Sequence, residues 1–262
     1  MRPSAASADR LTAAAHQAFA EAVQFYLMQT PRELPSEFFY DALGSALFEA
    51  ICELPWYRVT RAERTLLAAH GADIFALADP ISTVIELGPG SGDKLATLLS
   101  ARKMARATTV HLIDVSAAAL SLASRTIGEL DDTTIVAHRA TYEAGLGEAT
   151  ATRPRTGRTL IAFLGSNVGN FDPPGADAFL HSVRRSLRPH DVLLVGTDLV
   201  KPERDLLLAY DDPLGITAAF NRNLLLRINR ELGGDFDLDC FVHRAIWNAS
   251  QNCPDCMPSV SI

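Results

Sequence analysis

The pattern of hydrophobic and polar positions changes period near residue 80. Before that point apolar residues recur at helical spacing, which predicts helices over residues 11–27, from about 45 to 51, and from 60 to about 77. Ser45 is the predicted N-cap of the second helix, and Thr60 caps the third with Glu63 at capping-box distance. From residue 83 onward, short apolar runs alternate with amphipathic stretches, as in a doubly wound parallel sheet.

Five strands and four helices are predicted in this second part. The predicted strands cover residues 83–87, 109–114, 133–138, 159–164 and 191–198, and the helices cover 93–102, 116–129, 174–187 and 201–210. We expect strand order 3-2-1-4-5. Helical segments from residues 1–80 and 200–250 should come together as a lid over the carboxyl ends of the strands.

One stretch, residues 84–94, carries the clearest chemical signal. An apolar run contains Glu86 and is followed by Gly88, Gly90 and Gly92, after which an amphipathic helix begins near Lys94. Glycines let a strand-to-helix turn approach a nucleotide-like ligand closely. A carboxylate at Glu86 disfavours the pyrophosphate of a dinucleotide, whereas S-adenosylmethionine offers an ammonium, a sulfonium and a ribose. We therefore predict a methyl-donor site, with a dinucleotide site and a ligand-free turn as alternatives.

Residues at the ends of the next two strands fit the same ligand. Asp114 ends the second strand, where a carboxylate accepts hydrogen bonds from ribose hydroxyls; the alternative is a helix cap beside Ser116. Thr141 and Tyr142 follow the third strand, where an adenine would lie, and the alternative is that they are ordinary loop residues.

Composition narrows the classes of partner. The chain of 262 residues is 48% hydrophobic and 21% charged, with net charge −7 and pI near 5.5, which argues against a nucleic-acid partner. No apolar run is long enough for a membrane helix, and the N-terminus lacks a signal-peptide pattern. We expect a cytoplasmic protein with no membrane partner. Cys253 and Cys256 form half of a zinc-site pattern with only His243 nearby, so no metal is predicted.

Longer motifs resemble a known family. They are residues 163–170 (FLGSNVGN), 196–201 (GTDLVK), 209–212 (AYDD) and 215–223 (GITAAFNRN), together with Tyr40-Asp41 and Gly44-Ser45. From about Tyr40 to Asn248 the chain resembles the histidine-specific Nα-methyltransferases of ergothioneine biosynthesis. The resemblance implies a Rossmann-like class I methyltransferase sheet with a mostly helical substrate lid, and S-adenosylmethionine as cofactor.

The resemblance also implies roles for individual residues. Donor contacts fall on Tyr40, Gly88, Lys94 and Asp114, to which the turn analysis adds Glu86, Gly90, Thr141 and Tyr142. The amino-acid substrate would be bound by Tyr57, Asn170 and Tyr210, with Asn170 and Tyr57 as the catalytic pair. An asparagine can donate to a carboxylate or accept from an amine, and aromatic rings suit an amine that becomes cationic on methylation. The alternative for the tyrosines is simple packing.

Two departures from the family pattern affect the expected function. Thr141-Tyr142 stands where the family usually has Asp-Phe, and the family's imidazole-binding glutamate and serine lie in a segment absent from this sequence. We therefore expect a truncated or diverged member whose fifth strand is an exposed edge available for self-association. The predicted reaction is S-adenosylmethionine-dependent N-methylation of the α-amino group of histidine. The alternatives are a paralogue that binds the donor or a protein partner, or an enzyme for another small amine such as a tryptophan derivative.

The predicted organisation has four parts. Residues 1–80 and 200–250 form the two halves of the substrate lid, residues 81–199 form the donor-binding domain, and residues 251–262 form a divergent, disordered tail.

Overall fold

The computed structural model describes residues 5–30, 32–102, 107–247 and 259–261. In these residues helices predominate before residue 80, and strands alternate with helices afterwards. The helices are α1 (Ala5–Leu27), α2 (Ala42–Glu53), α3 (Val59–Ala78), α4 (Asp93–Ser100), α5 (Ala117–Gly128), α6 (Tyr142–Thr152), α7 (Pro173–Ser186), α8 (Glu203–Tyr210) and α9 (Ile216–Leu232). The strands are β1 (Ile81–Leu87), β2 (Thr108–Asp114), β3 (Thr133–Arg139), β4 (Arg158–Phe163), β5 (Val192–Val195), β6 (Arg244–Ile246) and β7 (Ser259–Ser261). Short 3₁₀ helices lie at Ser36–Phe39, Asn167–Asn170 and Leu238–Cys240.

The main sheet has five parallel strands in the order β3-β2-β1-β4-β5. The predicted α/β fold class and strand order are confirmed. The central strand β1 is buried on both faces, which explains its nearly continuous apolar sequence. Because all five strands run the same way, their carboxyl ends and the loops that follow them share one edge of the sheet.

Two apolar layers enclose the sheet, one on each face. Val84 of β1 packs with residues of α3, α4 and α5, including Leu67, Leu95 and Leu120. Ile85 and Leu87 point to the other face, where they pack with residues of α6 and α7 such as Leu146 and Phe179. The period-2 alternation of a strand produces this division.

Helices from the two ends of the chain contact each other through Asp41. Its carboxylate accepts hydrogen bonds from the Gly44 backbone amide at 2.7 Å and from the Asn223 side chain at 2.8 Å, and pairs with Arg230 at 2.7 Å. Arg227 of α9 also donates to the Phe38 carbonyl at 2.8 Å. The helical segments predicted to form the lid therefore do meet, although their division into domains stays a prediction.

Three local predictions are wrong. Asp41, not Ser45, caps α2, because its carboxylate reaches the Gly44 amide. Helix α3 begins at Val59 with Arg58 as its N-cap residue and no side-chain cap, so the predicted cap Thr60 lies inside the helix. In addition, α6 and α9 were not among the predicted helices.

The end of the chain is described only in part. β6 pairs antiparallel with β7, while residues 248–258, including Cys253 and Cys256, lie outside the described residues, as does Ile262. Within the described ranges no helix is long and apolar enough to cross a membrane. Those ranges also hold no group of three or more histidine, cysteine, aspartate or glutamate side chains arranged for a metal.

Candidate active site

A cavity of about 430 Å³ lies where the carboxyl ends of the strands meet the N-terminal helices. One wall comes from residues before β1, and the other comes from the turn after β1 and the segments that follow β2, β3 and β4. The lining residues are Tyr26, Pro35, Ser36, Glu37, Tyr40, Ser45, Phe48, Glu49, Gly88, Gly90, Asp114, Val115, Ala119, Thr141, Tyr142, Glu143, Asn167, Asn170 and Phe171. Seven predicted site residues are thus brought together: Tyr40, Gly88, Gly90, Asp114, Thr141, Tyr142 and Asn170.

The turn after β1 depends on its glycines. Gly88 and Gly90 have φ values of +70° and +54°, in the left-handed region that side chains disfavour. A Cβ at Gly88 would also lie 2.8 Å from the Tyr142 hydroxyl oxygen and 2.9 Å from Asn167 Nδ2. Glycine therefore brings backbone, rather than side chain, to the cavity wall.

Asp114 lines the cavity, while the N-cap of α5 is Ser116, so the contact of Asp114 with a ribose stays a prediction. Its Oδ1 accepts the Ser116 backbone amide at 2.8 Å, at the start of α5, and the residue also lines the cavity. Burial raises the pKa of the Asp114 carboxyl to about 6, although hydrogen bonds from the Ser116 and Val115 amides act in the opposite direction. A carboxylate here is costly without a ligand, and hydroxyl donors from a ligand would stabilise its charged form.

Thr141 and Tyr142 mark the start of α6. The Thr141 hydroxyl accepts from the Ala144 amide at 3.4 Å, so this residue is the N-cap. The Tyr142 ring lies 5.5 Å from Phe163 and 5.9 Å from Phe179 between centroids, and the ring also lines the cavity. The Tyr142 ring is thus held by two phenylalanine rings while it lines the cavity, and it is suitable for contact with a planar base.

Tyr40 approaches the cavity from the N-terminal side. Its ring packs edge-on against Phe48 at 5.5 Å and Phe220 at 5.6 Å. Burial, and next the charge of Asp114, raise the pKa of the Tyr40 phenol, so its hydroxyl stays protonated and can donate a hydrogen bond.

Glu86 and Lys94 lie outside the cavity lining, so their predicted donor contacts stay predictions. Glu86 is 1% exposed, its Oε2 has no hydrogen-bond partner, and burial raises the pKa of its carboxyl well above the usual value. Lys94 is paired with Glu63 at 2.9 Å. Glu63 in turn accepts the Gly165 backbone amide at 2.8 and 3.0 Å.

Only one of the three predicted substrate residues lines the cavity. Asn170 lines the cavity directly, whereas Tyr57 and Tyr210 lie outside its lining. Their rings contact each other edge-on at a centroid distance of 6.0 Å, and the Tyr57 ring contacts the ring of the cavity-lining Phe48 at 6.3 Å. Burial, and next the neighbouring Tyr210, raise the pKa of the Tyr57 phenol well above its ordinary value. Tyr57 can therefore donate a hydrogen bond but does not provide a phenolate base near neutral pH.

Sequence reasoning missed several lining residues. Glu37, Ser45, Phe48 and Glu49 belong to the N-terminal helices, whose placement over the sheet no local pattern specifies. Asn167 lies in the same motif as Asn170 and could have been proposed from that motif.

Comparison with known proteins identifies the family. A family profile described as histidine-specific methyltransferase, SAM-dependent, matches residues 19–256. The chain belongs to this family. It is 43% identical over 239 residues to the histidine N-alpha-methyltransferase of Mycolicibacterium smegmatis, covering 90% of this chain and 73% of that protein. The predicted family, enzyme class and cofactor are confirmed.

Two further proteins that are similar to this chain carry names other than histidine N-alpha-methyltransferase. Ergothioneine biosynthesis protein 1 of Neurospora crassa is 30% identical over 204 residues, covering 78% of this chain and 23% of that protein. The L-tryptophan methyltransferase of Psilocybe serbica is 34% identical over 193 residues, covering 64% of this chain and 53% of that protein.

The cavity fits S-adenosylmethionine, the family's methyl donor. Two lining glycines without a Cβ, Gly88 and Gly90, a buried carboxylate at Asp114 and an aromatic ring at Tyr142 match a ligand with a ribose and a planar base. The described lining residues include no lysine, arginine or histidine, which suits a ligand that carries positive charge.

Proposed function

We propose that this protein transfers methyl groups from S-adenosylmethionine to the α-amino group of histidine. One observation carries the proposal: Gly88, Asp114, Tyr142 and Asn170 line a single cavity in a chain of the histidine-specific methyltransferase family. The identity to the mycobacterial histidine N-alpha-methyltransferase supports the choice of acceptor.

The donor half of the cavity would be formed by residues that the strands present. S-adenosylmethionine, when bound, supplies an electrophilic methyl carbon on its sulfonium. Asp114 would accept hydrogen bonds from the ribose hydroxyls, Thr141 and Tyr142 would contact the base, and the backbone at Gly88 and Gly90 would allow close approach.

The acceptor half would be formed around Asn170. Its amide can donate to the histidine carboxylate or accept from the amine, and thereby hold the nitrogen in place. Phe48 and Phe171 form apolar walls that exclude water. Tyr57 and Tyr210, behind Phe48, would support this wall and offer neutral phenols. Methyl transfer to nitrogen depends mainly on holding the reacting atoms in line, so this positioning is the protein's principal contribution.

The reaction can be tested directly. The purified protein is incubated with S-adenosylmethionine and each of the twenty amino acids, and the products are identified by mass spectrometry. We expect methylated histidine, lost in the Asn170→Ala variant. Methylation of tryptophan without histidine would contradict the assigned acceptor, and donor binding without any methylated amino acid would contradict the proposed activity.

We further propose that the protein works in the cytoplasm and can self-associate through β5. This strand lies at one edge of the described sheet and its residues are half-buried, while the following Leu199 is 77% exposed. An uncovered strand edge favours pairing with another chain. Light scattering that gives a monomer mass at all concentrations would contradict the association.

A further inference from the structure

One face of helix α2 runs along the cavity from the end of β2 to the glycine turn. Ser45 and Glu49 lie one helical turn apart on this face, and both line the cavity. The Ser45 hydroxyl is 2.9 Å from that of Ser116, next to Asp114. The other residue, Glu49, reaches the turn: its Oε1 lies 3.6 Å from the place where a Cβ at Gly90 would be.

Glu49 stands in a strongly acidic cavity. Four lining residues are carboxylic acids, namely Glu37, Glu49, Asp114 and Glu143, and the described lining has no basic side chain. Burial is the main factor that raises the pKa of Glu49, and the charges of Asp93 and Glu53 act in the same direction. Lys94 and a hydrogen bond with Ser91 oppose them. A ligand cation beside Glu49 would offset the cost of this half-buried negative charge.

The lysine near Glu49 is already paired with another carboxylate. Lys94 acts on Glu49 electrostatically, but its ammonium is paired with Glu63 at 2.9 Å. The glycine-turn end of the cavity therefore presents a carboxylate from α2 with no basic side chain in the described lining. A carboxylate placed this way matches the ammonium group of an amino acid.

We propose that Glu49 is a donor-binding residue that recognises the α-ammonium of the methionine part of S-adenosylmethionine. This inference rests on the proposed donor but not on histidine as the acceptor. Because α2 belongs to the segment before β1, Glu49 would give that segment a direct part in binding the methyl donor, in addition to enclosing the cavity.

The test compares two ligands that differ in the amino-acid end. S-adenosylhomocysteine carries the ammonium, and 5′-methylthioadenosine lacks the whole amino-acid group. Titration calorimetry with Glu49→Gln should show a loss of affinity for S-adenosylhomocysteine of about 10- to 100-fold. This is the loss expected when a hydrogen bond to a charged group is removed. Affinity for 5′-methylthioadenosine should change less than about twofold, since the variant removes only the charge on Glu49.

Controls separate recognition from support of the fold. Glu129→Gln changes an exposed carboxylate away from the cavity and should leave both affinities unchanged. Glu49→Asp keeps the charge but shortens the reach, so its loss should be intermediate and still confined to S-adenosylhomocysteine. Unchanged affinity for S-adenosylhomocysteine in Glu49→Gln, or equal losses for both ligands, would overturn the inference. A wild-type protein that binds both ligands but methylates no histidine would refute only the proposed acceptor.

Discussion

The carboxylate of Glu63 lies 2.9 Å from the ammonium of Lys94, although the two residues belong to different parts of the fold. Glu63 is on α3, before the sheet begins, and Lys94 is in the first turn of the helix that follows the glycine turn. Glu63 also accepts the Gly165 amide, and its Oε1 would lie 1.7 Å from a Cβ at Gly196. A single side chain thus joins α3 to the loops that follow β1, β4 and β5.

Replacement of Glu63 should therefore weaken the whole fold. In Glu63→Ala, the mostly buried Lys94 loses its ion-pair partner and the Gly165 amide loses its acceptor. We expect the free energy of unfolding to fall by about 2–4 kcal/mol, measured by urea denaturation. Glu129→Ala, at an exposed glutamate, is the control, and adding Lys94→Met to Glu63→Ala should restore part of the loss. A change below about 0.5 kcal/mol would show that the pair is not structurally important.

Donor binding should depend on the charge of Asp114. Asp114→Asn keeps an oxygen for the Ser116 amide but removes the charged acceptor from the cavity. Affinity for S-adenosylhomocysteine should fall by about 1–3 kcal/mol in titration calorimetry. The exposed Asp131→Asn is the matched control. Equal affinities for the wild type and Asp114→Asn would remove Asp114 from the donor site.

The same substitution should stabilise the ligand-free protein at neutral pH. The pKa of Asp114 is raised from 3.8 to about 6, so between these values the native state binds more protons than the unfolded state. The contribution of Asp114 to the free energy of unfolding then falls as pH rises through this window. At pH 7 the charged carboxylate lowers that free energy by up to about 3 kcal/mol. Asp114→Asn should be more stable than wild type at pH 7, with the difference shrinking towards pH 4. A difference that stays constant from pH 4 to 7 would contradict the raised pKa.

Two glycines of α6 should respond to alanine in opposite ways. A Cβ at Gly145 would lie 2.4 Å from Cγ2 of the buried Ile113, whereas nothing lies within 4 Å of one at Gly147. Gly145→Ala should destabilise the protein by about 1–3 kcal/mol. Gly147→Ala should stabilise it by about 0.5–1 kcal/mol, because alanine favours the helix. Thermal unfolding of the two variants checks both signs, and similar shifts would contradict the packing against Ile113.

Asn170 should affect the acceptor more than the donor. The Asn170→Ala variant removes the amide proposed to position histidine. We expect kcat/KM for histidine to fall, by a factor that corresponds to a loss of about 1–3 kcal/mol of transition-state stabilisation. Affinity for S-adenosylhomocysteine should stay within about twofold, since the donor contacts are left in place. A matching loss of donor affinity would assign Asn170 to the donor half instead.

The parts that the sequence predicted are those determined by local pattern. Apolar runs and the glycines at 88, 90 and 92 predicted the strands and the turn, and the strand order was expected from the doubly wound fold class. The position of Asp114 at the end of β2 predicted its place at the cavity. Glu49 gave no signal and Glu63 suggested only a capping box, because the contacts of both residues depend on how α2 and α3 pack on the sheet. The cap of α2 shows the same limit. Both Asp41 and Ser45 are good N-cap residues, and the Gly44 amide is bound by Asp41, whose carboxylate is also held by Asn223 and Arg230 from α9.

The two-walled cavity has a thermodynamic consequence. Tyr40 and Glu49 approach from the N-terminal segment, while Gly88 and Asp114 belong to the sheet. A ligand that contacts both walls must strengthen the attachment of the N-terminal segment by the same factor by which that attachment strengthens ligand binding. The methyl donor should therefore slow hydrogen exchange in α2 even where it touches no backbone amide. Conversely, local detachment of α2 would release the donor while the sheet remains folded.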